Sequence, residues 1–231
     1  MFDIIRSDTR GAANHGWLNA KHTFSFADYH DPDRMGFGSL RVINEDRIEA
    51  GKGFGRHPHN DMEIVTYLIE GALEHKDSMG NGSVIRPGEL QRMTAGTGIF
   101  HSEVNPSDTE THLLQIWILP EKTGLEPGYE QKLFERQDKL NKWLLLGARD
   151  GRDGALTIHQ DIDMSSTILE AGRSLDYAFA EGRRGFLQVV KGQVQLGEET
   201  LQSGDGVAIV GSSSITVDAL GDAELVLFDM A

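Results

Sequence analysis

Cysteine is absent from this chain of 231 residues. Without cysteine the chain can form neither disulfides nor thiolate metal sites, so zinc-finger folds are excluded and any metal must be held by imidazole and carboxylate groups. Apolar runs that approach the roughly 20 residues of a spanning helix are also absent, and residues 1–6 lack the features of a secretory signal. We therefore expect a cytoplasmic protein that makes no membrane contact.

Positive charge is also scarce. The chain has 22 lysine and arginine residues against 36 aspartate and glutamate residues, which gives a formal net charge of -14. Such a field repels phosphate backbones, and the basic residues form no large cluster, so we expect no direct binding of nucleic acid.

Short apolar strands separated by glycine, asparagine and aspartate turns dominate the chain, and helical periodicity is scarce. This pattern is typical of an all-β sandwich or barrel. The predicted strands are Ser39–Ile43, Ile64–Ile69, Leu90–Met93, His112–Leu119, Phe186–Val190, Gly206–Val210 and Leu225–Phe228.

The second half of the chain repeats the first in weakened form. The segment that ends at Gly192 parallels the one that ends at Gly71, and the glycine turn at Gly204 parallels the one at Gly88. We therefore predict two β-barrels in one chain, with an N-terminal domain over residues 1–135 and a C-terminal domain over residues 136–231.

Two pairs of possible metal ligands stand at strand spacing. His57 and His59 form one pair, and His101 and Glu103 form the other. Residues two apart on a strand point to the same face, so two such strands lying opposite each other inside a barrel would converge on one point. A transition metal held by three imidazoles and one carboxylate keeps two octahedral positions open, as in sites that act on oxygen-bearing substrates.

A chance grouping of histidines is the alternative for a lone pair, but the flanking residues count against it. Glycines precede both pairs, and Asn105 follows His101 by four residues. In the second half the corresponding positions, around residues 177–181 and 215–219, contain no histidine. We therefore expect metal in the first domain and none in the second.

The glycine-flanked pairs resemble the two motifs of the cupin family, although cupins usually take their carboxylate ligand from the first motif. Further short motifs occur in one order and together resemble the pirin family of bicupins. They are His15–Leu18, His22–Phe26, Asp31-Pro32, Met35–Gly38, Leu40–Asn44, Asp77–Asn81 and Thr94–Ile99.

The resemblance implies two cupin β-barrels and one divalent metal held by the ligands His57, His59, His101 and Glu103. It also implies quercetin 2,3-dioxygenase activity on a flavonol-like substrate and O2, with release of carbon monoxide. Glu103 is the candidate catalytic base, because a carboxylate at the metal is within reach of the substrate hydroxyl. Iron(II) is the expected metal, while manganese, cobalt, nickel, copper and zinc all accept such ligands.

A regulatory alternative remains open, since eukaryotic pirins are described as iron-responsive partners of transcription factors. A metal-free carbohydrate-binding cupin is disfavoured, because it leaves four aligned ligands without a purpose. A monomer is the simplest expectation for a bicupin, whose two halves can cover each other.

Other polar and aromatic residues have less certain roles. His75 is a candidate partner of a ligand histidine or a proton relay, and Glu63, where cupins usually place their carboxylate, is a candidate for orienting a ligand histidine. Structural hydrogen bonding is expected for the remaining histidines, and core packing for most N-terminal aromatic residues, with a substrate pocket as the alternative. These aromatic residues are Trp17, Phe24, Phe26, Tyr29, Phe37 and Phe54.

Overall fold

The computed structural model describes residues 2–231 and is nearly all β, with 57% of residues in strands and 4% in helices. The strands are β1 (Phe2–Ile5), β2 (Gly11–Asn14), β3 (Leu18–His22), β4 (Leu40–Ile48), β5 (Gly53–His59), β6 (Glu63–Glu70), β7 (Leu73–Asp77), β8 (Gly82–Ile85), β9 (Glu89–Thr94), β10 (Ile99–Val104), β11 (Thr111–Ile118), β12 (Gly128–Leu133), β13 (Leu144–Ala148), β14 (Leu156–Thr157), β15 (Ile162–Leu169), β16 (Ser174–Ala178), β17 (Arg184–Lys191), β18 (Gln193–Leu196), β19 (Glu199–Gln202), β20 (Gly206–Ile209), β21 (Ser214–Ala219) and β22 (Ala223–Met230).

The helices in the described residues are three short 3₁₀ turns, Ser7–Thr9, Arg136–Asp138 and Arg152–Gly154. Within residues 2–231, no helix has the length and apolar character needed to cross a membrane. Each of the seven strands predicted from the sequence overlaps an observed strand, namely β4, β6, β9, β11, β17, β20 or β22. The apolar runs were informative because these strands are almost continuously buried, as β6 and β22 show.

The chain forms two compact units. The N-terminal unit comprises Gly11–Leu133 and Ile158–Gln160, and the C-terminal unit comprises the described residues through Arg10, Phe134–Thr157 and Asp161–Ala231. The sequence predicted a metal-binding domain over residues 1–135 and a metal-free domain over residues 136–231. That assignment stays a prediction.

Two sheets make up the N-terminal unit. One has the strand order β12-β9-β6-β11-β4-β3-β2, and the other has the order β5-β10-β7-β8. Apolar side chains from both sheets pack in two separate clusters. One is centred on Leu68, Leu73 and Leu113, and the other on Ile64 and Met93.

The C-terminal unit repeats this arrangement. Its sheets have the orders β1-β20-β17-β22-β15-β13-β14 and β16-β21-β18-β19, and a single apolar cluster contains buried residues of both sheets. The small sheets of the two units match strand for strand, with β5, β10, β7 and β8 corresponding to β16, β21, β18 and β19. The two units thus confirm the all-β, two-barrel fold predicted from the sequence.

Two glycine turns show that the sequence repeat is also a structural repeat. Gly71 and Gly192 follow equivalent strands with φ angles of +83° and +84°, and Gly88 and Gly204 have φ angles of +92° and +87°. These are left-handed conformations that L side chains rarely adopt, so glycine is favoured at each turn.

We expect Gly192→Ala to destabilise the C-terminal unit more than Gly182→Ala does. Both glycines have a left-handed backbone, with φ angles of +84° and +81°, so each substitution should cost about 1–2 kcal/mol of unfolding free energy. A Cβ at Gly192 would also lie 2.1 Å from the Asp222 carbonyl oxygen, whereas at Gly182 it would meet nothing within 4 Å.

Urea denaturation followed by circular dichroism measures both variants against the wild type. Equal midpoints for the two variants would show that the close approach at Gly192 relaxes without cost.

Candidate metal centre and cavity

The two ligand pairs lie on neighbouring antiparallel strands, β5 and β10. His57 is directly opposite His101, and His59 is opposite Ile99. One donor nitrogen each from His57, His59 and His101 lies within 4.8 Å of the other two, and their ring centroids are 4.4–4.9 Å apart. Strand spacing therefore brings together the three histidines that the sequence singled out.

Gly53 permits the close approach of these strands. A Cβ at Gly53 would lie 2.2 Å from the backbone oxygen of Glu103, so a side chain there would push β5 away from β10. The register also shifts between His101 and Glu103, where the two steps from His101 to Glu103 on β10 face three steps, from His57 to Phe54, on β5, so the extra residue of the bulge lies on β5. Bulges of this kind re-aim a side chain locally.

Glu103 is buried and held by a glutamine. Gln115 Nε2 donates to Oε1 at 3.0 Å and to Oε2 at 2.9 Å, while the Thr66 hydroxyl donates to Gln115 Oε1 at 2.9 Å. Burial raises the pKa of the Glu103 carboxyl, although the hydrogen bond from Gln115 works in the opposite direction. Glu103 is grouped with His101 and His75, whose donor atoms are all within 4.8 Å of one another, so His101 belongs to both ligand groups.

Two imidazoles of the cluster, those of the half-buried His59 and the buried His101, resist protonation. Burial, reinforced by neighbouring histidines, lowers the pKa of His59 to about 4 and that of His101 to about 3. His101 Nε2 is buried without a hydrogen-bond partner, which in an apolar interior is costly. His57 Nδ1 lies 2.8 Å from the Gly55 carbonyl oxygen, which can only accept, so Nδ1 carries the proton and Nε2 keeps its lone pair. These donors fit a divalent metal.

His75 and Asp77 stand behind His101, on β7. Their side chains are fully buried, with His75 Nε2 3.2 Å from Asp77 Oδ2, and His75 Nδ1 lies 3.5 Å from His101 Nδ1. His75 is therefore in contact with a candidate ligand histidine, as one interpretation of the sequence predicted. Burial by itself would raise the pKa of Asp77, but hydrogen bonds led by those from Asn81 and His75 hold it below its ordinary value.

Glu63 has a different role from the one suggested by the sequence. Its buried carboxylate contacts the backbone and ring nitrogens of His159, both at 3.3 Å from Oε2. The prediction that Glu63 orients a ligand histidine is thus wrong, because residues 158–160 supply its partner. The structural role expected for His159 is confirmed.

A cavity of about 720 Å³ opens beside the cluster in the N-terminal unit. His57, His59 and Glu103 line it together with mostly apolar and aromatic side chains. Of the six N-terminal aromatic residues considered from the sequence, Trp17, Phe26, Tyr29 and Phe54 line this cavity, whereas Phe24 is buried in the interior. Core packing is therefore confirmed for Phe24, whereas the substrate pocket stays a prediction for the four residues that line the cavity.

Sequence reasoning missed three residues that shape the site. Gln115 and Trp117 on β11 line the cavity, and Thr66 on β6 holds the Gln115 side chain. Trp117 also packs against Phe26 and His59, with ring centroids 5.3 and 4.9 Å away. The available signal was one polar residue in the middle of an apolar run, Gln115 in β11 and Thr66 in β6.

An all-β chain of two repeated barrels, one of which brings together the imidazoles of His57, His59 and His101, is a bicupin. The family comparison agrees, since the model described as Pirin matches residues 5–118 and that described as Quercetinase C-terminal cupin domain matches residues 145–230. The chain belongs to the pirin family.

Similar proteins are known across the full length. A protein of Escherichia coli (strain K12) named quercetin 2,3-dioxygenase is 50% identical over 231 residues, covering 100% of this chain and 99% of that protein. A pirin-like protein of Caulobacter vibrioides is 43% identical over 233 residues, covering 100% of both chains. The crystal structure of the bacterial pirin YhhW from Escherichia coli in complex with nickel(II) has a TM-score of 0.95 and 48% identity, covering 100% and 99% of the two chains.

The lowered imidazole pKa values predict that the metal-free protein loses stability in mild acid. In the unfolded chain the pKa of both histidines is near 6.5, whereas burial in the folded protein lowers it to about 4 for His59 and about 3 for His101. Below pH 6.5 the unfolded chain therefore binds more protons than the folded protein. Their contribution to stability is fully present above about pH 6.5 and declines as the pH falls through the window toward the folded values.

Urea denaturation in the presence of a chelator, at roughly pH 5 and pH 7.5, should show this loss in the wild type and a smaller one in His59→Gln/His101→Gln. Equal pH dependence of the unfolding free energy in both proteins would show that His59 and His101 do not cause the loss of stability in acid.

Proposed function

We propose that His57, His59, His101 and Glu103 hold one divalent transition metal. The observation that carries this proposal is the grouping of one donor nitrogen each from His57, His59 and His101 within 4.8 Å of one another, together with the buried, unpartnered Nε2 of His101. A nickel(II) complex of a 48% identical bacterial pirin supports it. Iron(II) is the metal that we expect for an oxygen-dependent reaction.

We further propose that the C-terminal unit holds no metal. Strand registers identify its equivalents, because Ile215 lies opposite Tyr177 as His101 lies opposite His57, and Val217 lies opposite Leu196 as Glu103 lies opposite His75. Ile215, Val217 and Leu196 are buried members of the apolar cluster, and Tyr177 packs against it. None of these side chains is a usual metal ligand in the imidazole and carboxylate set.

We propose that the chain is a dioxygenase that cleaves a flavonol such as quercetin. The cavity beside the cluster has the size and apolar lining suited to a flat aromatic substrate, and the 50% identical relative is named quercetin 2,3-dioxygenase. The net reaction incorporates both atoms of O2 and releases one ring carbon as carbon monoxide. The bound metal would supply a Lewis acid and a route for electron transfer toward dioxygen.

The chain's own residues would prepare the substrate. Glu103 lines the cavity and accepts the proton of the flavonol 3-hydroxyl, since burial raises its pKa toward that of a useful base. Gln115 fixes the orientation of this carboxylate, with one amide nitrogen near both oxygens. The apolar walls limit water around the reacting ring.

The proposed metal site predicts one tightly bound ion per chain. His101→Ala should lose most of its metal yet remain folded, because the apolar clusters on either side of the site are unchanged. Elemental analysis of protein purified without chelator or metal-affinity tag measures the stoichiometry. Normal metal content in His101→Ala would refute the ligand assignment, and a second tight ion that survives loss of all four ligands would refute the metal-free C-terminal unit.

The proposed base predicts that Glu103→Gln reduces turnover per bound metal by roughly 10²- to 10⁴-fold. Gln keeps the size of the side chain but loses its basicity, so the defect should shrink at alkaline pH, where the substrate ionises unaided. Oxygen uptake and carbon monoxide release with quercetin, normalised to bound metal, provide the measurement.

Glu63→Gln is the matched control, because Glu63 is an equally buried carboxylate whose contacts go to His159. It should retain wild-type turnover per metal. A Glu103→Gln protein that keeps full turnover would remove Glu103 from the mechanism, and a metal-loaded wild type that consumes no oxygen would favour the regulatory alternative.

A further inference from the structure

A buried chain of three polar side chains runs from the β7 turn to the candidate metal centre. Asp77 Oδ2 lies 3.2 Å from His75 Nε2, and His75 Nδ1 lies 3.5 Å from His101 Nδ1. Backbone pairing fixes this order, because β7 and β10 place Asp77 opposite His101 and His75 opposite Glu103. At its far end is His101 Nε2, the buried nitrogen without a partner.

Asp77 is anchored as a hydrogen-bond acceptor. Its Oδ1 accepts from the backbone nitrogens of Met79 at 2.9 Å and Asn81 at 3.0 Å, and its Oδ2 accepts from Asn81 Nδ2 at 2.9 Å. These donors belong to the turn that follows β7, so the turn holds the carboxylate in place against His75.

The direction of the hydrogen bonds from His101 through His75 to Asp77 follows from this anchored carboxylate. A carboxylate only accepts, so His75 donates its Nε2–H to Asp77, and the neutral tautomer that makes this bond has its lone pair at Nδ1. His101 must then donate its Nδ1–H to His75. The remaining nitrogen of His101, Nε2, then carries the lone pair, and it is the nitrogen that is buried without a hydrogen-bond partner.

We propose that Asp77, acting through His75, is a positioning residue that sets the tautomer of His101 and so makes Nε2 its metal-binding atom. This inference rests on the metal site proposed above. His75 is itself a positioning residue, because Asp77 and His101 engage both of its ring nitrogens. Ligand histidines are generally oriented by a partner on their second nitrogen.

The C-terminal unit supplies an internal comparison. There, the positions equivalent to His75 and His101 are Leu196 and Ile215, which are both buried in the apolar cluster. The hydrogen-bonded chain thus occurs in the unit that has the imidazole cluster, and apolar packing replaces both in the other unit.

Asp77→Asn tests the proposal by reversing the donor and acceptor roles along the hydrogen bonds that link residue 77, His75 and His101. The amide oxygen can still accept from the backbone nitrogens of Met79 and Asn81, although the bond from Asn81 Nδ2 is lost. The Nδ2–H that then faces His75 moves the His75 proton to Nδ1 and the His101 proton to Nε2. In metal-free protein, ¹⁵N NMR of the imidazoles should show His101 protonated at Nδ1 in the wild type and at Nε2 in the variant. Calorimetric titration with nickel(II) chloride should show affinity about 10- to 100-fold weaker in the variant.

Two further variants separate this role from simple folding damage. Glu45→Gln alters another carboxylate–imidazole pair of the same unit, Glu45 with His112 at 2.9 Å, and should leave the His101 tautomer and nickel affinity unchanged. In a His75→Phe background the connection is cut, so Asp77→Asn should cause no additional loss of affinity. Circular dichroism checks that each variant is folded.

Retention of the Nδ1–H tautomer at His101 in Asp77→Asn would overturn the proposal, as would a full Asp77→Asn defect in the His75→Phe background. Both the tautomer and nickel binding are measured without a flavonol. If the His101 tautomer and the nickel affinity change as expected in a protein that does not turn over quercetin, this inference is supported. The same result refutes the proposed dioxygenase activity.

Discussion

The cost of burying polar groups in a β-barrel interior governs the candidate site. A buried polar atom without a hydrogen-bond partner destabilises the fold, typically by about 1–3 kcal/mol. The cost rises to several kcal/mol where nothing compensates for the lost contact with water. Gln115 and Thr66 satisfy this need for Glu103, and His75 contacts His101. Among the candidate ligands, His101 Nε2 is the ring nitrogen that stays buried without a partner.

The two units show what the fold requires and what it does not. Their sheets have matching strand orders, and equivalent glycines turn with nearly equal φ angles. Yet Thr66 and Gln115, which are paired across β6 and β11, correspond to Leu187 and Leu227, which are paired across β17 and β22. Apolar residues at these positions thus suffice for this architecture, so the fold itself does not require the polar residues Thr66 and Gln115 of the N-terminal unit.

Two apolar clusters of the N-terminal unit contain residues of both of its sheets. Those clusters keep β5 and β10 in register, so the imidazoles are positioned by strands and not by loops. The cavity beside them is mostly apolar. In such surroundings electrostatic interactions between the polar side chains are stronger than in water.

The sequence by itself determined the all-β class, the repeat, the main strands and the three grouped histidines, because strand alternation, glycine turns and i, i+2 spacing are local properties. Only the tertiary structure decided which residues support the site. Gln115 reaches Glu103 from another sheet, His159 reaches Glu63 across 96 positions, and β1 pairs with β20 near the far end of the chain. Such partners depend on strand register and long-range pairing, which local patterns do not encode.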